Sequence, residues 1–278
     1  MSYFTALGLH KEPFSLSPDP SFFFRSYSHL QALNRLEIAI RMRRGLSLVL
    51  GDVGIGKTTL ARTLVNAFPS DEGFALHMVL DPSFESEYQF LLTLSQMFGL
   101  GANFKSTLDC REAIEHCLFQ RGVVEGKTTV LVLDEGQKLS LDSLENLRVL
   151  LNYETNEYKL LQVVIFSQME LLPRVVRVRN LIDRVALKYI INPLDEAETA
   201  ELIRFRLEAA GMADGAALFT DGAIRAIYSA TQGYPRKITK ICQRALEELL
   251  MREVSTIDEP LVHDLVRDES RWAESGSA

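Results

Sequence analysis

The sequence predicts an α/β fold, a doubly wound parallel sheet flanked by helices, followed by a small C-terminal all-α domain. Three observations predict it. Short apolar runs alternate with helix-patterned segments from residue 46 to 191. A glycine-rich loop joins the first of these runs to the helix that follows it. After residue 194 the pattern is wholly helical, with no further strand signal.

Taken in order, residues 1–28 read as an irregular, aromatic lead-in with Phe4, Phe14 and Phe22–Phe24. Pro18 and Pro20 oppose a helix there, so its phenylalanines are expected to pack on the domain that follows. Leu30, Leu33, Leu36 and Ile40 keep helical spacing over 28–43, and Gly45 ends that segment. Leu46–Leu50 is a buried strand, and 58–68 a helix stopped by Pro69. After a turn at Asp71-Glu72-Gly73 come a strand over 74–80 and helices over 85–98 and 108–119. Strands follow at 129–133, 160–166 and 186–191, separated by helices at 142–151 and 170–178. The first two of these are continuous apolar runs of the kind buried on both faces in central parallel strands. Helices over 195–210, 220–230, 235–252 and 257–267 build the second domain, with Thr220 or Asp221 as a cap and Pro235 in a first turn. The expected division is therefore a lead-in at 1–28 packed on the core, an α/β domain at 29–193, a helical domain at 194–267 and a polar tail at 268–278.

The loop Gly51-Asp52-Val53-Gly54-Ile55-Gly56-Lys57-Thr58 carries the first chemistry. It matches G-x-x-x-x-G-K-[ST] at every fixed position and lies between a strand and a helix. Its glycines let successive N–H groups turn inward, toward the positive end of the next helix, which begins with Thr58 and Thr59. Such a cradle binds the phosphates of a nucleoside triphosphate. Lys57 is expected at the β and γ phosphates and the Thr58 hydroxyl on Mg²⁺. The strand Val130–Leu133 then delivers Asp134 and Glu135 to its C-terminal edge, Asp134 for the metal side and Glu135 to polarise an attacking water. The strand ending at Phe166 is expected to lie between these two, so that Ser167, or Gln168, contacts the water or the γ-phosphate.

Composition narrows the function classes. The 278 residues are 47% hydrophobic and 24% charged, the profile of a globular chain. No apolar run approaches the roughly 20 residues that span a bilayer, and the N-terminus lacks a basic start, so a cytoplasmic place is expected. Cys110, Cys117 and Cys242 form no C-x-x-C pair and read as reduced core thiols, which argues against metal-thiolate or redox chemistry. The net charge of −7 gives no long-range attraction for nucleic acid, although Arg41, Arg43, Arg44, Lys237, Lys240 and Arg244 could form a local basic face.

The loop, the Asp134-Glu135 edge, the polar strand end and the helical second domain together resemble a AAA+ ATPase, a P-loop NTPase with Walker A and Walker B motifs and a helical lid. More narrowly, Pro13-Phe14, Pro18-Asp19-Pro20-x-Phe22, His29-x-x-Ala32-Leu33, Asp134-Glu135-x-Gln137, Leu150-Leu151-Asn152-x-Glu154-Thr155 and Gly233-x-Pro235-Arg236 resemble the ATPase domain of the general secretion pathway protein A (ExeA-type) family. Some of these features are shared with transposition ATPases of the TniB and TnsC type.

The resemblance implies MgATP as ligand, hydrolysis, and assembly into a homo-oligomeric ring or filament. It also implies a protein partner in cell-envelope secretion or export at the inner face of the membrane; the alternative is a DNA-associated, transposition-targeting ATPase. Arg236 matches the sensor-2 arginine and Arg184 the arginine finger inserted by a neighbouring subunit, with Arg174, Arg177 and Arg179 close by. Phe14, Tyr27 and His29 become candidates beside the adenine. Ser167 stands where the family's sensor 1 has asparagine or threonine, and Gly136 where alanine is common, a change expected to cost little. Secretion members of the family continue into a membrane span and a periplasmic peptidoglycan-binding part, and no peptidoglycan contact is expected of these residues.

Overall fold

A computed structural model describes residues 3–16, 20–68, 73–212 and 218–275. Pro18 and Asp19 of the lead-in, the expected stop at Pro69 and the turn residues Asp71 and Glu72 lie outside the described residues. The chain forms two compact units. One comprises Tyr27–Val53 and Lys57–Ile191; the other comprises the residues up to Ser26, Gly54–Gly56 and those from Asn192 onward.

The first unit is a five-stranded parallel sheet in the order β2-β3-β4-β1-β5, where β1 is Leu46–Leu50, β2 Phe74–Val79, β3 Thr128–Leu133, β4 Leu161–Ser167 and β5 Val185–Ile190. Strands β1, β3 and β4 are buried at every position, as their predominantly apolar runs require for strands covered on both faces. Strand β5 pairs on one side only and alternates between half-buried and exposed positions. Gln162 interrupts the apolar run of β4 at no cost in unpaired groups: its Oε1 accepts from Gly45 N–H at 2.8 Å and its Nε2 donates to the Lys159 carbonyl at 2.8 Å.

The helices α2 (Tyr27–Arg41), α3 (Lys57–Asn66), α4 (Glu87–Met97), α5 (Thr107–Phe119), α6 (Leu141–Leu150) and α7 (Leu172–Arg177) fill the connections; a one-turn helix α1 (Tyr3–Ala6) precedes them in the other unit. Ser86, Ser106 and Ser140 cap α4, α5 and α6, each accepting a hydrogen bond from the backbone N–H three residues on. A π-helical turn at Gln120–Val124 follows α5. The apolar core of this unit gathers Leu46, Leu48, Leu91, Leu94, Ile114, Leu131, Leu133, Leu147, Val163 and Ile165 around the sheet.

In the second unit α8 (Glu196–Ala209), α9 (Asp221–Thr231), α10 (Pro235–Met251) and α11 (Glu259–Ser275) surround Leu202, Leu207, Ile227, Ile238, Leu246 and Val262. Asp195 and Glu198 form a reciprocal capping box at the start of α8, Thr220 caps α9, and Pro235 occupies the first turn of α10.

Three expectations need correction. The lead-in belongs with the helical unit rather than with the α/β core. Phe14 is fully buried there, its ring edge-on to Phe219 with centroids 6.2 Å apart, and Arg206 Nη1 donates to the carbonyls of Pro13 and Ser15 at 3.2 Å. Pro20 opens a 3₁₀ turn, Pro20–Phe22, because a proline is tolerated in the first position of a helical turn, where its missing N–H has no partner to lose. Finally, α11 runs on to Ser275, through the segment expected as a polar tail, since no glycine or proline follows Pro260 before Gly276 to stop it.

The cysteines are core residues as expected. All three are free and buried, and burial pushes each thiol up from its ordinary value. No described helix is long and apolar enough to cross a membrane.

Candidate nucleotide site

The strand order places the chemistry. Strand β4 lies between β1 and β3, so the loop leaving β1, the acids leaving β3 and Ser167 ending β4 share one edge of the sheet. This is the carboxyl edge of a parallel sheet, where α/β folds hold ligands. The expected stop of β4 at Phe166 is one residue short, because Ser167 still pairs in register with Leu50. The edge is tied together by backbone, with Gly51 N–H donating to the Ser167 carbonyl at 3.1 Å.

Within the loop, Gly54 has φ +79° and Gly56 φ +102°, conformations that side chains rarely adopt. Gly54 groups with the helical unit. Its carbonyl accepts the Arg236 N–H at 3.1 Å, and a Cβ on it would fall 2.8 Å from the Arg236 Cβ. Position 54 therefore excludes any side chain on two separate grounds. Arg236 itself is exposed at the start of α10.

Lys57 is buried, and its Nζ donates to the carbonyls of Gly51 at 2.8 Å and Asp52 at 2.9 Å. Burial lowers its pKa, opposed by the charges of Glu135, Asp134, Asp52 and Glu170. Opposite it, the Thr58 hydroxyl donates to Asp134 Oδ2 at 2.6 Å, and Asp134 Oδ1 accepts the Glu135 N–H at 3.0 Å. Asp134 is 1% exposed. Burial raises its pKa against the bonds from Thr58 and Glu135 N–H, and the neighbouring Glu135 charge adds to the rise. A hydroxyl and a desolvated carboxylate converging in this way form a hard, oxygen-only donor pair, which suits Mg²⁺ rather than a softer metal.

Glu135 adopts a left-handed backbone, φ 51° and ψ 37°, the bend that turns the chain from β3 into the 3₁₀ turn Gly136–Lys138. The site gives Glu135 a partner to which the sequence assigned no role. Gln137 Nε2 donates to Glu135 Oε2 at 2.6 Å, while Gln137 Oε1 accepts from Ser167 Oγ at 3.3 Å and from Gln168 N–H at 3.2 Å. The only sequence signal was the recurrence of Gln137 in the Asp134-Glu135-x-Gln137 motif. Ser167 is fully buried and its hydroxyl is engaged by Gln137 and by the Gln168 carbonyl at 3.0 Å. Glycine at 136 fits a place with no room for a side chain. A Cβ there would lie 2.3 Å from Ile165 Cγ2 and 3.2 Å from both the Phe166 carbonyl oxygen and Ser167 Cβ, so alanine at this position requires β4 or the turn to move.

The remaining candidates are distributed differently. Phe14 sits in the core of the helical unit and offers no ring to an adenine; His29 is buried on α2, and Tyr27 is exposed at its start. Arg174 is a strut, its Nη1 donating to the carbonyls of Gln137 at 2.6 Å and Leu139 at 3.0 Å. Arg184 is half-buried in the 3₁₀ turn Ile182–Arg184, with Nη1 3.5 Å from the Leu151 carbonyl and a buried Nε that has no hydrogen-bond partner. Arg177 and Arg179 are exposed.

Residues 40–175, which contain the loop and both acids, match the AAA domain family. General secretion pathway protein A of Aeromonas hydrophila is 36% identical over 250 residues, covering 88% of this chain. The chain belongs to the AAA+ ATPases. Its similarity to general secretion pathway protein A extends over 44% of that protein's length, so the chain spans under half of that relative. Among solved structures, the Aeropyrum pernix ORC2 protein in ADPNP-ADP complexes superposes with a TM-score of 0.65 at 17% identity, over 93% of this chain and 71% of that one. The Aeropyrum pernix ORC1 protein in complex with DNA superposes with a TM-score of 0.60 at 20% identity, over 93% and 69%. At these identities the likeness shows the fold of this AAA+ chain and no more.

Proposed function

We propose that this AAA+ ATPase binds and hydrolyses MgATP at the loop 51–58 and uses the cycle to act on a protein partner. The observation that carries the reading is the convergence of Thr58 and Asp134 at 2.6 Å beside the buried Lys57, with Glu135 next along the chain. In this reading the loop N–H groups and the Lys57 ammonium hold the triphosphate, exchanging the Gly51 and Asp52 carbonyls for phosphate oxygens. Thr58 and Asp134 are the residues that would hold Mg²⁺, which would supply neutralisation of the phosphate charge. Glu135 accepts a proton from the attacking water, and Ser167 acts on the same edge through its contact with Gln137. Arg236 of the helical unit is the arginine proposed to sense the γ-phosphate, and Arg184 the one a neighbouring copy contributes in a ring or filament.

Two variants test the division of labour. Lys57→Ala is expected to lose affinity for a fluorescent ATP analogue, because no other buried cation faces the loop carbonyls among the described residues. Arg184→Ala is expected to retain that affinity and lose roughly 10³-fold in turnover. Wild-type turnover in Arg184→Ala, with loss instead in Arg177→Ala or Arg179→Ala, would move the shared role to one of those exposed arginines.

The similarity to general secretion pathway protein A supports a partner in a cell-envelope secretion or export system, reached from the cytoplasmic side. A DNA-associated role is the second reading, favoured by exposed Lys237 and Lys240 on α10. Titration of duplex DNA at several salt concentrations separates them. ATP-dependent binding with a steep salt slope supports the DNA reading, and no binding supports the protein partner.

A further inference from the structure

The general base proposed above does not stand alone at the sheet edge. Its carboxylate is one end of a hydrogen-bonded path that begins at the phosphate loop. Gly51 N–H donates to the Ser167 carbonyl, the Ser167 hydroxyl shares its one proton between the Gln168 carbonyl at 3.0 Å and Gln137 Oε1 at 3.3 Å, Gln168 N–H donates to the same Oε1, and Gln137 Nε2 donates to Glu135 Oε2. The orientation of the Gln137 amide is forced at both ends. Its partner Gln168 N–H can only donate, so Oε1 must face it, and an ionised Glu135 carboxylate can only accept, so Nε2 must face that. The segment carrying Gln137 is itself pinned, since Arg174 donates to the carbonyls of Gln137 and Leu139. A side chain fixed at its backbone and at its amide oxygen can fix whatever its amide nitrogen holds.

We infer that Gln137 is the positioning residue for Glu135, setting the direction of its carboxylate from the end of β4 so that Oε1 is left to receive the proton of the attacking water. This rests on the reading of Glu135 as the base. A glutamate on a left-handed backbone position has several rotamers open to it. A single charge-assisted bond from an anchored amide selects among them before the substrate arrives, and misplacing a base by about 1 Å is enough to lose on the order of 100-fold in rate.

The discriminating substitution is Gln137→Glu. It keeps an oxygen for the Gln168 N–H and the Ser167 hydroxyl, so the end of β4 remains tied, but it replaces the donor facing Glu135 with a like charge. The expected result is a fall in kcat of roughly 10- to 100-fold with affinity for a fluorescent ATP analogue unchanged. In a Glu135→Gln background the same substitution is expected to add no further loss in single-turnover hydrolysis, because a residue acting only through Glu135 has nothing left to position. A residue that merely supports the fold would add its loss in both backgrounds. Wild-type kcat in Gln137→Glu, or an additive loss in the double variant, overturns the inference while leaving Glu135 as base. Wild-type turnover in Glu135→Gln alone removes the base reading itself, and the positioning role with it. If Gln137→Glu fails to fold, Gln137→Met removes the amide without adding charge and carries the same expectations.

Discussion

Glutamine in place of Glu135 is expected to lower ATP turnover by roughly 10²- to 10⁴-fold while leaving nucleotide affinity intact. The substitution keeps the volume and the hydrogen-bonding reach of the side chain, so the contact with Gln137 Nε2 persists through the amide oxygen. What is lost is the negative charge that accepts the proton from water. Lys57, Thr58 and Asp134, which the proposed site uses to hold phosphate and metal, keep their mutual bonds. Steady-state phosphate release and equilibrium binding on the same preparation check the two halves separately. Parallel loss of both would mean that Glu135 supports the loop rather than the reaction, and undiminished release would remove it from the chemistry.

Asp134→Asn is expected to move stability and turnover in opposite directions. Burial raises the Asp134 carboxyl above its ordinary 3.8 in the fold. The folded protein therefore holds this proton more tightly than the unfolded chain does. The stability associated with the protonated form is fully present below the ordinary carboxylate value and is lost as pH rises through the raised, folded one. At neutral pH the ionised side chain is a standing cost in the protein without nucleotide and metal. Asparagine removes the charge and keeps both bonds, with its amide oxygen accepting from the Glu135 N–H and its amide nitrogen donating to the Thr58 hydroxyl. A gain of about 1 kcal/mol is expected at pH 7, or roughly 2–4 °C in Tm. The difference between variant and wild type should narrow as pH falls toward the ordinary carboxylate range. Turnover should fall by at least about 100-fold, since the metal-side carboxylate of the proposed site is gone. Melting curves across pH read the first effect and hydrolysis the second; a variant less stable than wild type at pH 7 would refute the cost assigned to the buried charge.

Much of this architecture is legible from local pattern because burial on both faces leaves a plain mark. The runs at Leu46–Leu50, Thr128–Leu133 and Leu161–Ser167 have few polar residues to explain away, and each is a central strand. The loop is legible for a different reason: its fixed positions are demanded by backbone curvature and phosphate charge, so spacing alone carries the meaning. What escapes is decided by residues distant in the chain. Phe14 reads as an aromatic in need of cover, but nothing adjacent to it tells that Phe219 provides it. The partnership of Gln137 with Ser167 exists only once β4 is laid beside β3. The need for glycine at 136 is hidden for the same reason, because Ile165 occupies the space that a methyl group would need. The end of α11 escapes in the opposite way: polar composition resembles a tail, yet it lacks any residue that breaks a helix.

The burial of all three thiols has a practical side. Cys110 and Cys242 are closed to solvent and Cys117 nearly so, with their thiols held protonated by the apolar surroundings, which makes them slow toward maleimide reagents. A single cysteine introduced at an exposed position can thus be labelled with the native three in place. A fluorescent reporter of the proposed nucleotide-driven self-association can be attached to the otherwise unaltered sequence, without the cavities that removing core cysteines would leave.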